Sequence, residues 1–172
     1  MLKTDILEGM DTQLTRWRPH TTALLVSGVV LIIIASVIAY VVTNFRPTTE
    51  VRMGANVYQL WVASDEVSRV RGLSGVEELN PNGGLLMEFE TDDFHSIWMN
   101  EMEIPIDIIW LDSTKKIVYV VTDAQPNQLP VATFTPSEKA RYVLELTAGS
   151  ARRDAIRVGD NVEFTIQERN LW

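Results

Sequence analysis

The stretch IWMNEMEIPIDIIW, residues 97–110, sets a carboxylic acid, Asp107, among isoleucines and tryptophans. A carboxylate taken out of water is costly unless it is paired or hydrogen-bonded, so Asp107 calls for a partner. In one reading the partner is scaffold: backbone amides of the MNEME loop, or the guanidinium of Arg69. In the other, Asp107 stands at a cleft edge with Glu101 or Glu145 and binds a ligand or does acid/base work. That work requires environments that push the two pKa values apart.

The remaining side chains with chemical potential divide in the same way. Arg69 falls in the last turn of a short helix, where a cation stabilises the terminal carbonyls, and it is equally placed to face a site. His95 is one of two histidines and lies near Asp92 and Asp93. Metal sites use three or four ligands, so this spacing gives no reason to expect a metal, and no cofactor motif is present. Trp98 and Met99 suit a core, or the floor of a pocket in which an aromatic platform meets a sugar ring. The candidate ligand-binding set is therefore Arg69, His95, Trp98, Met99, Glu101, Asp107 and Glu145. GLSG does not have nucleophile-elbow spacing, and NPNGGLL lacks the lysine and hydroxyl of a phosphate loop.

Cysteine is absent, which excludes disulfides, thiolate nucleophiles and zinc–sulfur sites. Net charge is −8, and residues 1–45 balance three basic against three acidic side chains, so the excess acid lies beyond residue 45. An acidic surface without a basic stripe repels phosphate backbones and argues against nucleic-acid binding.

These residues need elements to hold them. Residues 21–45 contain no charge, and their run LLVSGVVLIIIASVIAYVV is long enough to cross a bilayer as a single-pass helix, which takes about 20 apolar residues. A cleavable signal peptide is the competitor, with Val37-Ile38-Ala39 as its loose cleavage signal. Such peptides have apolar regions of only about 7–15 residues, which favours an uncleaved anchor. Trp17 and Tyr40 suit the two interfaces, and Lys3, Arg16 and Arg18 lean residues 1–20 toward the cytoplasm. The acidic domain is then expected outside the cytoplasm, at the cell membrane.

Residues 46–55, RPTTEVRMGA, read as a stalk, and residues 56–172 as the domain. NVYQLWVA is a strand apolar on both faces. Ser64 is an N-cap candidate for a helix of about two turns that Gly72 ends. LLMEF is a strand, Ile97–Met99 resumes one, and Ile106–Leu111 forms a hairpin with IVYVV. Residues 122–137 carry three prolines and read as one long loop, a length often functional. RYVLEL is a strand, Ser150 caps a short helix to Ile156, and the last strand alternates with Val162, Phe164 and Ile166 inward and Gln167 outward. Hairpin-type connections imply a mainly β, compact antiparallel barrel or sandwich with two short helices.

Arg69, Gly72-Leu73, Gly84 to Phe89, Trp98-Met99, Ile104 to Ile108, Leu144-Glu145, Gly149 and Gly159-Asp160, in that order and spacing, resemble the domain of unknown function 192 family over about residues 56–167. The resemblance implies a small β-rich domain, commonly exported or membrane-anchored in bacteria and archaea, and implies no reaction. Where many members have Lys-Asn after Trp-Met, this chain has Asn100-Glu101. The function expected from all of this is a membrane-anchored extracytoplasmic binding or accessory domain that acts on an envelope component, such as a glycan. Two alternatives stand beside it: an acid/base enzyme using Asp107 with Glu101 or Glu145, and a structural partner of another membrane protein.

Overall fold

The computed structural model describes residues 19–44, 46–126 and 129–166, and the chain divides into two compact units, Met1–Phe45 and Arg46–Trp172. The first contains helix α1, Pro19–Asn44, whose 26 residues make a rod of about 39 Å at 1.5 Å per residue. Within it Ala23–Tyr40 is long and apolar enough to cross a membrane, criteria that a signal sequence also meets. Its two serines do not break the apolar surface with free donors: Ser27 Oγ donates to the Ala23 carbonyl at 2.9 Å and Ser36 Oγ to that of Ile32 at 2.8 Å. Trp17 and the basic residues of the N-terminal tail lie outside the described residues.

The second unit is built on strands β1 (Thr48–Met53), β2 (Asn56–Ala63), β3 (Gly83–Asp93), β5 (Ile106–Leu111), β6 (Ile117–Ala124), β8 (Ala140–Thr147) and β9 (Val162–Phe164). They form one sheet in the order β6-β5-β8-β3-β2-β1-β9. An isolated bridge, Lys116 to Asn161, brings the two edges together at one end, so the sheet curls into a half-barrel. Its concave face gathers residues from all seven strands, including Tyr58, Leu60, Leu86, Ile109, Leu144 and Phe164. The opposite face of β3, β5 and β8 carries a second core, with Leu85, Met87, Ile108, Trp110 and Val143.

This mainly β, curled-sheet fold matches the sequence expectation in class, with corrections of detail. Residues 46–55 are no stalk, because β1 pairs with β2 from Thr48 to Met53 and with β9 on its other side. Val51 and Met53 are buried while Thr48 and Glu50 are exposed, a two-residue alternation too short to stand out beside Pro47 and Gly54. One connection is not a hairpin: β2 runs parallel to β3, with the short helix α2 (Glu66–Arg71) in the crossover. The N-cap of α2 is Asp65 rather than Ser64, since Asp65 forms a reciprocal capping box with Ser68. The proline-rich segment 122–137 holds the end of β6 and strand β7 (Thr133–Phe134), which pairs with β4 (Ile97–Trp98). Residues 127–128, and Gln167, lie outside the described residues.

Asp107 is fully buried on β5, and its partners are amides, though neither those of the MNEME loop nor Arg69. Its Oδ1 accepts the N–H of Asp123 at 2.8 Å and its Oδ2 accepts that of Ala151 at 2.8 Å. Asp123 lies in an irregularity of β6, where two residues face the one position of Asp107, and its φ of 57° turns its amide inward. Ala151 is in the first turn of the third helix, α3 (Ser150–Arg153), whose N-cap is Gly149 and has no side chain to offer. Asp107 thus supplies from a neighbouring strand the cap that the helix lacks.

Asp107→Asn keeps the shape but turns one acceptor into a donor that faces an amide. Loss of one buried charge-assisted bond should lower unfolding free energy by about 1–3 kcal/mol in urea denaturation of the full chain. An unchanged midpoint would remove Asp107 from this role.

Candidate functional site

β5 and β8 pair so that Asp107 lies opposite Leu146, and Glu145 opposite Ile108. Residues directly paired across strands share a face, and successive residues alternate, so Asp107 and Glu145 point to opposite sides of the sheet. Asp107 faces the concave core. Glu145 faces the other side, flanked by Leu85 on β3 and Ile108 on β5.

Over Glu145 the chain builds a pocket of about 390 Å³ between α2, β3 and the segment around β4. The crossover from β2 places α2 there, and Gly72 ends the helix in a backbone conformation, φ 53° and ψ −131°, that side-chain-bearing residues rarely adopt. Gly72 packs directly over the acid: a Cβ on it would stand 3.4 Å from Cε of Met87 and 3.5 Å from Oε2 of Glu145. Met87, Phe89, Ile97 and Met102 supply apolar walls, while Arg69 and Arg71 come from α2 and the half-exposed Trp98 from β4.

Glu145 is 3% exposed, and its Oε2 has no hydrogen-bond partner among the described residues. Burial alone pushes its carboxyl from an ordinary value of 4.5 up to about 8, with no opposing cation. Near neutral pH it is therefore a protonated acid, one O–H donor and one carbonyl acceptor in an apolar pocket. Buried acids of this kind occur at binding and catalytic sites.

Of the residues singled out from sequence, the fold brings Arg69, Trp98 and Glu145 to this pocket. The guanidinium of Arg69 is committed to scaffold as well: one nitrogen donates to the carbonyls of Ser64 at 2.7 Å and Glu88 at 2.9 Å, and the group lies over the Phe89 ring. His95 stands behind the wall, stacked on Phe89 with centroids 3.7 Å apart, and its Nε2 donates to the Thr91 carbonyl at 2.9 Å. Met99 is a buried core residue, its amide bonded to the carbonyl of Ala132. Glu101 is exposed on the loop after β4 at φ 54°, beside a separate shallow hollow with Arg71, Ser74 and Glu103. Asp107 therefore has neither Glu101 nor Glu145 as a working partner. Among the described residues no group of three or more His, Cys, Asp or Glu is placed to hold a metal ion.

Sequence reasoning missed the pocket's floor and lid: Gly72, Met87, Phe89 and Met102. A signal existed in YVLEL, where an acid occupies a position between residues that alternate into two cores. It marks Glu145 as buried on either face, but which apolar side chains converge over it depends on the crossover of α2.

A family model described as DUF192, Uncharacterized ACR, matches residues 48–164. A UPF0127 protein of Thermococcus gammatolerans is 32% identical over 108 residues, 63% of this chain and 67% of that protein. Another, of Thermococcus kodakarensis, is 33% identical over 107 residues, 62% of this chain and 65% of that protein. The matches thus span about two thirds of the length of these curated relatives. Among solved structures, a protein of Sinorhizobium meliloti described as a candidate transcription regulator superposes with a TM-score of 0.66 at 27% identity, covering 69% of this chain and 95% of that one. A protein of unknown function from Novosphingobium aromaticivorans gives a TM-score of 0.61 at 23% identity, covering 69% and 84%, a likeness of fold.

Because the folded chain keeps a proton on Glu145 that the unfolded chain releases, this group's contribution to stability is full below about 4.5 and is lost as pH rises through about 8. Thermal denaturation between pH 5 and 9 should show this decline. Glu145→Gln should flatten it and be more stable than the parent at pH 8, by about 2–4 kcal/mol. Parallel profiles for the two proteins would refute the burial of an ionisable acid.

Proposed function

The chain belongs to the DUF192 family, and we propose that it works as a membrane-anchored, extracytoplasmic binding domain that holds part of an envelope component, such as a glycan, in the pocket above Glu145. The observation that carries this reading is a buried carboxyl whose Oε2 no group among the described residues satisfies, in a pocket of about 390 Å³. Unpaired buried polar atoms are rare, and a bound ligand that supplies the missing partner accounts for one. Trp98, half exposed at the pocket, offers a flat face on which a sugar ring can stack. The candidate span of α1 supports an anchor, and the basic residues before it support a cytoplasmic N-terminus.

Binding is preferred to catalysis because Glu145 is the only acid buried on the pocket face of the sheet among the described residues, and Asp107 is turned away from it. The description of the Sinorhizobium protein as a transcription regulator is not extended to this chain. A net charge of −8 opposes binding to a phosphate backbone.

In a thermal-shift screen of the full chain against monosaccharides and envelope-derived disaccharides, at least one sugar should raise the melting temperature, and the rise should vanish in Trp98→Ala. No rise with any sugar would remove the glycan. The absence of cysteine makes the topology directly testable. Ser113→Cys, on the exposed turn after β5, should react with a membrane-impermeant maleimide in cells whose cytoplasmic membrane is intact. Labelling only after lysis would place the domain on the cytoplasmic side.

A further inference from the structure

We propose that the Glu145 pocket selects an uncharged ligand group that both donates and accepts a hydrogen bond, a hydroxyl or primary carboxamide on a flat apolar body, and that it rejects ammonium and carboxylate groups. This rests on the binding reading above and narrows its ligand.

The inference starts from what surrounds the acid. It is flanked by Leu85 on β3 and Ile108 on β5 and lies under Gly72 beside Met87, and the same pocket is lined by Phe89 and Leu73, none of them charged. The charged groups lining the pocket are Glu66, Arg69 and Arg71, all on α2, and His95 lies behind Phe89. None of them bonds Glu145: Arg69 is held by the Ser64 and Glu88 carbonyls. Among the described residues nothing bonds the acid's donor or its acceptor, and both are left to whatever enters.

A hydroxyl or carboxamide meets both without placing a charge in the pocket. An ammonium would require Glu145 to ionise between Leu85 and Ile108, aliphatic neighbours that cannot accept the ammonium's remaining N–H groups. A buried pair of that kind does not recover its desolvation cost. A carboxylate would bring an anion to Glu145, which no cation bonds among the described residues: Arg69 is held by the Ser64 and Glu88 carbonyls, and Arg71 is exposed on α2. The walls suit a single flat ring, with the half-exposed Trp98 as the aromatic face and the methionines Met87 and Met102 as adaptable ones.

Met87 and Met102 also make the pocket observable. The full chain, labelled with ¹³C on its methionine methyls and held in lipid nanodiscs, is titrated with benzyl alcohol, benzamide, benzylamine and benzoate. Met53 belongs to the other core and serves as the internal control. Benzyl alcohol and benzamide should shift the Met87 and Met102 methyls saturably at pH 6.5, leaving Met53 in place. Affinity should fall about tenfold at pH 9, where the group that titrates near 8 is ionised. Glu145→Gln keeps a donor and an acceptor, so it should bind both probes with the pH dependence gone. Benzylamine binding that strengthens toward pH 9 and is lost in Glu145→Gln would overturn the neutral-group inference and leave the binding reading standing. Saturable binding of benzoate would do the same. No saturable shift from any of the four probes, in parent or variant, would overturn the binding reading itself.

Discussion

Two amide N–H groups, one from the bulge of β6 and one from the first turn of α3, converge on the two oxygens of Asp107. Neither amide has a partner within its own element: a bulge leaves the ladder, and a helix start has no carbonyl behind it. A single short acid on the strand between them meets both needs, and in doing so it joins β5, β6 and α3 into one rigid corner. A residue that looks anomalous in an apolar run is thus what permits the run to be buried.

The contrast with Glu145 rests on the period of a β-strand. One step of register separates the two acids, and it sends them to opposite sides of the sheet. On one side, two donors wait for a carboxyl. On the other, the crossover through α2 lays a glycine and a ring of apolar side chains over the second carboxyl and gives its Oε2 no donor. The same functional group is a charged scaffold in the first setting and a protonated, unbonded acid in the second, because its neighbours decide whether its charge is tolerated.

The α2 crossover is the device that makes the second setting possible. A hairpin between β2 and β3 would leave this face of the sheet uncovered. The parallel arrangement instead returns the chain across it, and Gly72 lets the helix end close against β8. On the far side of the pocket, β4 and its neighbour β7 hold Trp98 in place. The candidate site is thus enclosed by short, irregular elements, while the acid at its end stands on a central strand.

What the chain order alone determined was whatever depends on local pattern: an uncharged run long enough to span a bilayer, the buried strand Ile106–Leu111 with its hairpin partner, the stop at Gly72, and the need of Asp107 for a partner. The family resemblance also lay in the linear spacing of glycines, prolines and acids. β1 was read as a stalk because its alternation covers only a few residues between breakers, and its strand identity comes from pairing with β2 and β9. Only the tertiary structure decided which donors reach Asp107, that Glu145 and not Asp107 faces a pocket, and that Glu101 and His95 stand outside it. Those outcomes are set by register across strands and by where a crossover lands, and both join residues tens of positions apart that no local period relates.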